Sequence, residues 1–158
     1  MQPRVVLFIC SGNICRSPYA HGYLQHRTRD TVGVRVTSAG TLGIQGSPAS
    51  PETVRLARES GFDLSGHRSQ GLTLDLVDEA DWILVMEDAH RRELLRHYPE
   101  DAHKIHLLSE YHPSISEPSA PPDIFDPISR PFEDFRRCFR LIGDAVDGWI
   151  RAELGTGD

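Results

Sequence analysis

The stretch that most constrains this chain is Cys10-Ser11-Gly12-Asn13-Ile14-Cys15-Arg16-Ser17-Pro18. It follows the apolar run Val5-Val6-Leu7-Phe8-Ile9, whose β-branched and aromatic content marks a short, fully buried parallel strand. It leads into Ser17-Pro18, a hydroxyl and a proline where a helix is expected to begin. Strand, tight loop and helix in that order make an anion site. Successive backbone amides from Ser11 to Arg16 can turn inward, the helix adds its positive end, and Arg16 adds a planar fork that suits two oxygens of one oxyanion. Cys10 is expected at the floor of this cradle, where all three features favour a thiolate. The loop lacks the Gly-x4-Gly-Lys-Ser/Thr order of a nucleotide-binding loop, which points away from a nucleoside triphosphate.

The rest of the chain reads as alternating strands and helices. A first helix is expected over about Pro18 to Asp30 and a strand over Val32 to Val36, ended by Thr37-Ser38-Ala39-Gly40. A loop rich in Gly, Ser and Pro runs from Thr41 to Ser50, and Ser50-Pro51 opens a helix through about Ser60 with Gly61 as its stop. Ser65-Gly66-His67-Arg68 is expected to turn, and Leu72-Thr73 to lead into a short helix. Trp82 to Met86 is a second unbroken apolar strand, with Asp88 as the cap of a helix to about Tyr98. Ile105 to Leu108 is a fourth strand. The segment from Ser109 to Arg130 holds five prolines and little periodicity, so a long surface loop of functional type is expected. In the last helix, opened by Pro131, Phe132, Phe135, Phe139, Ile142, Val146 and Trp149 recur at steps of three and four as a core stripe. Cys138 flanks the stripe, so packing is its default role. The pattern predicts a parallel α/β sheet covered on both faces, with ligands beyond the strand carboxyl ends, where Cys10 falls.

A chain of 158 residues suits a single domain spanning 1–158. The formal charge of −6 argues against nucleic acid or a membrane surface as partner. The apolar N-terminal run is far too short for a signal-peptide core or a membrane span. Three cysteines, Cys10, Cys15 and Cys138, suit a reducing compartment better than a disulfide framework, so a cytoplasmic protein is expected. The eight histidines show no metal-binding spacing, and neither metal nor other cofactor is expected.

The nine-residue loop closely resembles that of the low-molecular-weight protein tyrosine phosphatases, whose signature is Cys-x5-Arg-Ser. Cys10, Gly12, Asn13, Ile14, Cys15, Arg16, Ser17 and Pro18 all match it. The resemblance covers nearly the whole chain and implies a four-stranded parallel sheet of order 2-1-3-4, helices on both faces, of flavodoxin-like type. It implies Cys10 as nucleophile, Arg16 as phosphate clamp, and Ser11 to Ser17 as the phosphate-binding loop. The proton donor that such a reaction needs is expected on a mobile loop near the cradle. Position alone leaves Asp123 and Asp126 open; the resemblance selects Asp126, the Asp of an Asp-Pro pair shortly before the last helix. It further assigns Asn13, Ser17, Ser38 and His67 to a hydrogen-bond network behind the loop. The implied substrate is a phosphotyrosyl protein, a tyrosine kinase being one such protein.

Five departures and alternatives remain. Many family members flank the substrate ring with aromatic residues, where this chain offers Leu42, Ile44 and Ile128-Ser129. Cys15 either packs behind the loop or traps an oxidised Cys10 as a disulfide. A near relative of the family dephosphorylates arginine and has a Thr-like residue before its second Cys; Ile14 at that place favours phosphotyrosine, with phosphoarginine as the alternative. Thiol-dependent arsenate reductases share the fold but keep a cysteine pair on the helix after Met86, which is absent here. A module that binds phosphate without cleaving it would not require Cys10, Arg16 and Asp126 together.

Overall fold

The computed structural model describes residues 3–114 and 121–155. Four strands, β1 (Arg4–Cys10), β2 (Val34–Gly40), β3 (Trp82–Val85) and β4 (Ile105–Leu107), form an all-parallel sheet in the order β2-β1-β3-β4. Between and after them lie α1 (Arg16–Arg27), α2 (Pro51–Glu59), α3 (Leu74–Glu79), α4 (Asp88–His97) and α5 (Phe132–Leu154). The expected topology and the expected order of strands are therefore those observed.

Alternation along β1 decides which face the site uses. Val6, Phe8 and Cys10 point to the side packed by α1 and α5, in one core with Leu24, Phe139, Ile142 and Trp149. Leu7 and Ile9 point to the other side, with Val77, Ile83, Val85, Leu94 and Leu107. Because β1 is central, both of its faces are covered, which is why its sequence is uninterruptedly apolar. The stripe on α5 docks as its spacing predicts, with Phe135, Phe139, Ile142, Val146 and Trp149 buried. Phe132 is only partly buried and instead lies under the guanidinium groups of Arg55 and Arg136. Cys138 is fully buried among these side chains and donates to the Phe125 carbonyl at 3.4 Å.

Several boundaries differ from the sequence reading, each for a local reason. Helix α1 starts at Arg16, before Ser17-Pro18, and the Ser17 hydroxyl is turned to Cys10 and Asn13 instead of capping amides. It ends at Arg27, short of Asp30, where Thr28 returns its hydroxyl to the Leu24 carbonyl at 2.7 Å. Strand β2 is not Val32 to Val36: Val32 is exposed, Gly33 has φ +95°, and pairing with β1 continues until Cys10 lies opposite Gly40. Ladder pairing with a central strand thus outweighs the Thr-Ser-Ala-Gly signal for an end. The cap of α4 is Glu87, not Asp88, and the helix stops at His97, followed by a 3-10 turn over Pro99–Lys104. Strand β4 ends at Leu107, and Leu108–Tyr111 forms a second 3-10 turn. Ser50, Gly61 and the short helix after Thr73 behave as read: Ser50 accepts from the Thr53 amide, Gly61 takes φ +96°, and Thr73 caps α3. Residues 115–120 of the long loop lie outside the described residues.

Candidate active site

The loop after β1 closes on a cavity of about 160 Å³ lined by Cys10, Ser11, Gly12, Ile14, Cys15, Arg16, Leu42, Ile44, Asp126 and Ile128. Its first turn sits directly on the end of β2. A Cβ on Gly40 would lie 2.6 Å from the Ser11 carbonyl oxygen, so only glycine permits this approach. The Thr41 and Leu42 amides then donate to the carbonyls of Cys10 and Ser11, both at 3.0 Å. Among the described residues the backbone N–H groups of Ser11, Gly12, Ile14 and Cys15 have no protein acceptor. A run of unpaired amides beside a helix N-terminus is the electrostatic requirement for an oxyanion site.

Behind the loop Asn13 is fully buried and left-handed, with φ +57°. Its side-chain amide donates to Ser17 Oγ at 2.8 Å and to Ser38 Oγ at 3.0 Å, while its Oδ1 accepts from the Gln70 amide at 3.0 Å. His67 Nε2 donates to the Asn13 carbonyl at 2.7 Å. The four residues assigned by resemblance to one network are thus brought together. The network also fixes a proton. An amide NH2 can only donate, so Ser17 Oγ accepts from Asn13 and its own hydrogen is free for Cys10 Sγ, 2.9 Å away. The Asn13 backbone N–H reaches the same sulfur at 3.3 Å. Two donors therefore converge on Cys10, which is 2 % exposed.

Arg16 is equally buried, and its contacts separate its nitrogens by task. Nη1 donates to the Ile124 carbonyl at 2.7 Å and pairs with Glu87 Oε1 at 3.3 Å. Nη2 lies 3.6 Å from Asp126 Oδ2, on the side of the cavity. The segment that carries Asp126 is itself pinned across the sheet end: Ile124 N–H donates to the Met86 carbonyl at 2.9 Å, and Asp126 Oδ1 accepts from the Ile128 amide at 3.1 Å. The two loop acids left open by position are now distinct. Asp126 lines the cavity, whereas Asp123 accepts from the Asp88 amide at 2.7 Å, at the start of α4.

The remaining thiol in the loop, Cys15, hydrogen-bonds Ser50 at 3.5 Å, and burial raises its pKa. Cys10, Cys15 and Cys138 are all free. Burial lowers the pKa of His67, against the opposing effect of its bond to Asn13. It lowers that of His21 to about 4, helped by the nearby His67; His21 Nδ1 lies 3.0 Å from Ser38 Oγ. The sequence reading missed His21, Gln70, Glu87 and His90, which all touch the loop or its network. Glu87 had a usable signal, since it follows β3 at the carboxyl end of the sheet where ligands bind.

A parallel sheet that presents a buried thiol and a buried guanidinium in one amide-lined loop defines the cysteine-based phosphatase class. The model of the family described as low molecular weight phosphotyrosine protein phosphatase matches residues 5–156, and the chain belongs to that family. It is 35 % identical over 147 residues to a Ralstonia nicotianae protein named "probable low molecular weight protein-tyrosine-phosphatase EpsP", covering 93 % of this chain and 94 % of that one. It is 33 % identical to the protein-arginine-phosphatase of Geobacillus stearothermophilus, covering 92 % of this chain and 93 % of that one. The crystal structure of the low molecular weight protein tyrosine phosphatase from T. tengcongensis superposes with a TM-score of 0.85 at 33 % identity, covering 94 % of this chain and 99 % of that one. Among the described residues no helix is long and apolar enough to cross a membrane.

Proposed function

We propose that this chain, acting as one domain in the cytoplasm, hydrolyses phosphotyrosine on proteins, tyrosine kinases among them, through a cysteinyl-phosphate intermediate. The observation that carries this reading is the convergence of Cys10, the unpaired loop amides, Arg16 and Asp126 on one small cavity. In the first step the Cys10 sulfur forms a bond to phosphorus as the P–O bond to the phenol breaks, and Asp126 supplies the proton that the departing oxygen takes. In the second, Asp126 accepts a proton from a water that attacks phosphorus, and the S–P bond breaks. The Ser17 hydroxyl, already directed at Cys10, stabilises the leaving sulfur. Arg16 and the loop amides hold the three equatorial oxygens through both steps.

Phosphoarginine is the second reading, favoured by the similarity to an arginine phosphatase and by a rim of Leu42, Ile44 and Ile128 without an aromatic side chain. Ile14 weighs against it. A branched apolar wall accepts a phenyl face but leaves guanidinium N–H groups unpaired, at about 1–3 kcal/mol each. Comparing kcat/KM on phosphotyrosyl and phosphoarginyl peptides tests this. Phosphotyrosine is expected to be the better substrate, and Ile14→Thr to shift the ratio toward phosphoarginine; a wild-type preference for phosphoarginine overturns the reading of Ile14.

A further inference from the structure

The turn between β3 and α4 touches the phosphate loop at two points, and only one of them belongs to the Arg16 pairing. His90, on the first turn of α4, is 3 % exposed. Its Nδ1 accepts from the Glu87 backbone N–H at 3.1 Å. A backbone amide cannot be an acceptor, so this bond fixes the tautomer: Nδ1 carries the lone pair and Nε2 carries the hydrogen. Nε2 lies 2.9 Å from Ser11 Oγ and 3.5 Å from Glu87 Oε2, and the shorter, better-placed acceptor is the serine. Ser11 follows the nucleophile directly. Its carbonyl is already held by the Leu42 amide at 3.0 Å, so His90 supplies a second tether to the same residue.

We propose that His90 is a positioning residue of the phosphate loop, which takes the Glu87 amide hydrogen on Nδ1 and gives Nε2–H to Ser11, so that the Ser11 backbone amide stays aimed into the cavity. This goes beyond the roles assigned above and rests on the reading of the loop as an oxyanion site. Its physical content is preorganisation. The Cys10 carbonyl, which shares a peptide plane with the Ser11 amide, accepts from Thr41, and the Ser11 carbonyl accepts from Leu42; with the Ser11 hydroxyl tied as well, the two planes flanking Ser11 have little freedom to rotate, so the amide need not be reoriented when the anion arrives. Burial and the neighbouring Arg16 lower the His90 pKa to about 4, which keeps the imidazole in the single-donor form that the arrangement requires. Glu87 joins both points of contact, since its carboxylate faces Arg16 and His90 while its amide orients the imidazole.

The two ring nitrogens can be tested separately. Asparagine places an acceptor near Nδ1, keeping the cap of α4, but cannot reach Ser11; glutamine places a donor near Nε2 and gives up the cap. If His90 served the helix alone, His90→Asn would be the milder change in every assay. The proposal predicts the opposite order for the site. His90→Asn is expected to weaken binding of inorganic phosphate and vanadate about tenfold, the equivalent of one lost hydrogen bond. His90→Gln is expected to recover most of that loss while showing the lower unfolding midpoint. Ser11→Ala, which leaves the cap untouched, is expected to match His90→Asn, and the double variant to be no worse than either single one. Calorimetric titration with phosphate and vanadate, beside urea unfolding, reads all of these. Wild-type affinity in His90→Asn, equal loss in His90→Gln, or additive loss in the double variant overturns the proposal. A wild-type protein that binds neither anion overturns the oxyanion reading and the proposal with it.

Discussion

Replacing Asn13 separates two costs that the loop combines. Asn13 is fully buried, makes three side-chain hydrogen bonds, and has a φ of +57° that non-glycine residues adopt reluctantly. In Asn13→Gly the bonds disappear and the backbone strain does not arise. At about 1 kcal/mol for each bond, the orphaned Gln70 amide included, the loss is about 3–4 kcal/mol. Asn13→Ala loses the same bonds and must also hold a left-handed Cβ, at about 1–2 kcal/mol, against roughly 0.5–1 kcal/mol of chain entropy that glycine forfeits. Alanine is therefore expected to be the less stable variant by about 1 kcal/mol, an inversion of the usual order. Equilibrium urea unfolding of the three proteins measures both differences. A glycine variant within about 1 kcal/mol of wild type would refute the claim that the network stabilises the loop, and an alanine variant as stable as glycine would refute the strain argument.

Two further outcomes follow from the site. Asp126→Asn is expected to slow hydrolysis about 100-fold or more for alkyl phosphates with poor leaving groups and far less for activated aryl phosphates, whereas Asp123→Asn acts only through the start of α4; a leaving-group series for both variants checks this. Stability should fall as the pH drops from about 6.5 toward 4, because the unfolded chain then binds protons that folded His21 and His90 refuse until about pH 4. The loss is on the order of 2 kcal/mol for each imidazole, read from urea midpoints between pH 7 and 4.5, and His90→Asn should make the decline shallower.

What could be read from the residues alone was local. Val5 to Ile9, the Cys-x5-Arg loop and the α5 stripe each announce themselves within one element, because strand burial, anion binding and helix amphipathicity are all short-range requirements. The end of β2 was not legible, since only its partner β1 determines that pairing continues to Gly40. The different placements of Asp123, at the start of α4, and Asp126, on the cavity, depend on the Met86–Ile124 bond, which joins segments 38 residues apart along the chain. Glu87 and His90 reach the loop across more than seventy positions, and their nearer task, capping α4, concealed the second one. Gln70 contributes through its backbone amide to Asn13, so its side-chain identity carried no signal for that bond.

In the proposed mechanism Cys10 carries the phosphoryl group between two half-reactions. Rapid quenching of the wild-type protein during turnover of an aryl phosphate, with EDTA present, is expected to trap phosphate bound to sulfur in a burst stoichiometric with the enzyme. Cys10→Ser is expected to bind vanadate, since Arg16 and the amides remain, and to turn over at least a thousandfold more slowly. Turnover by Cys10→Ser near the wild-type rate, with no trapped phosphoenzyme in either protein, would rule out Cys10 as the phosphoryl carrier.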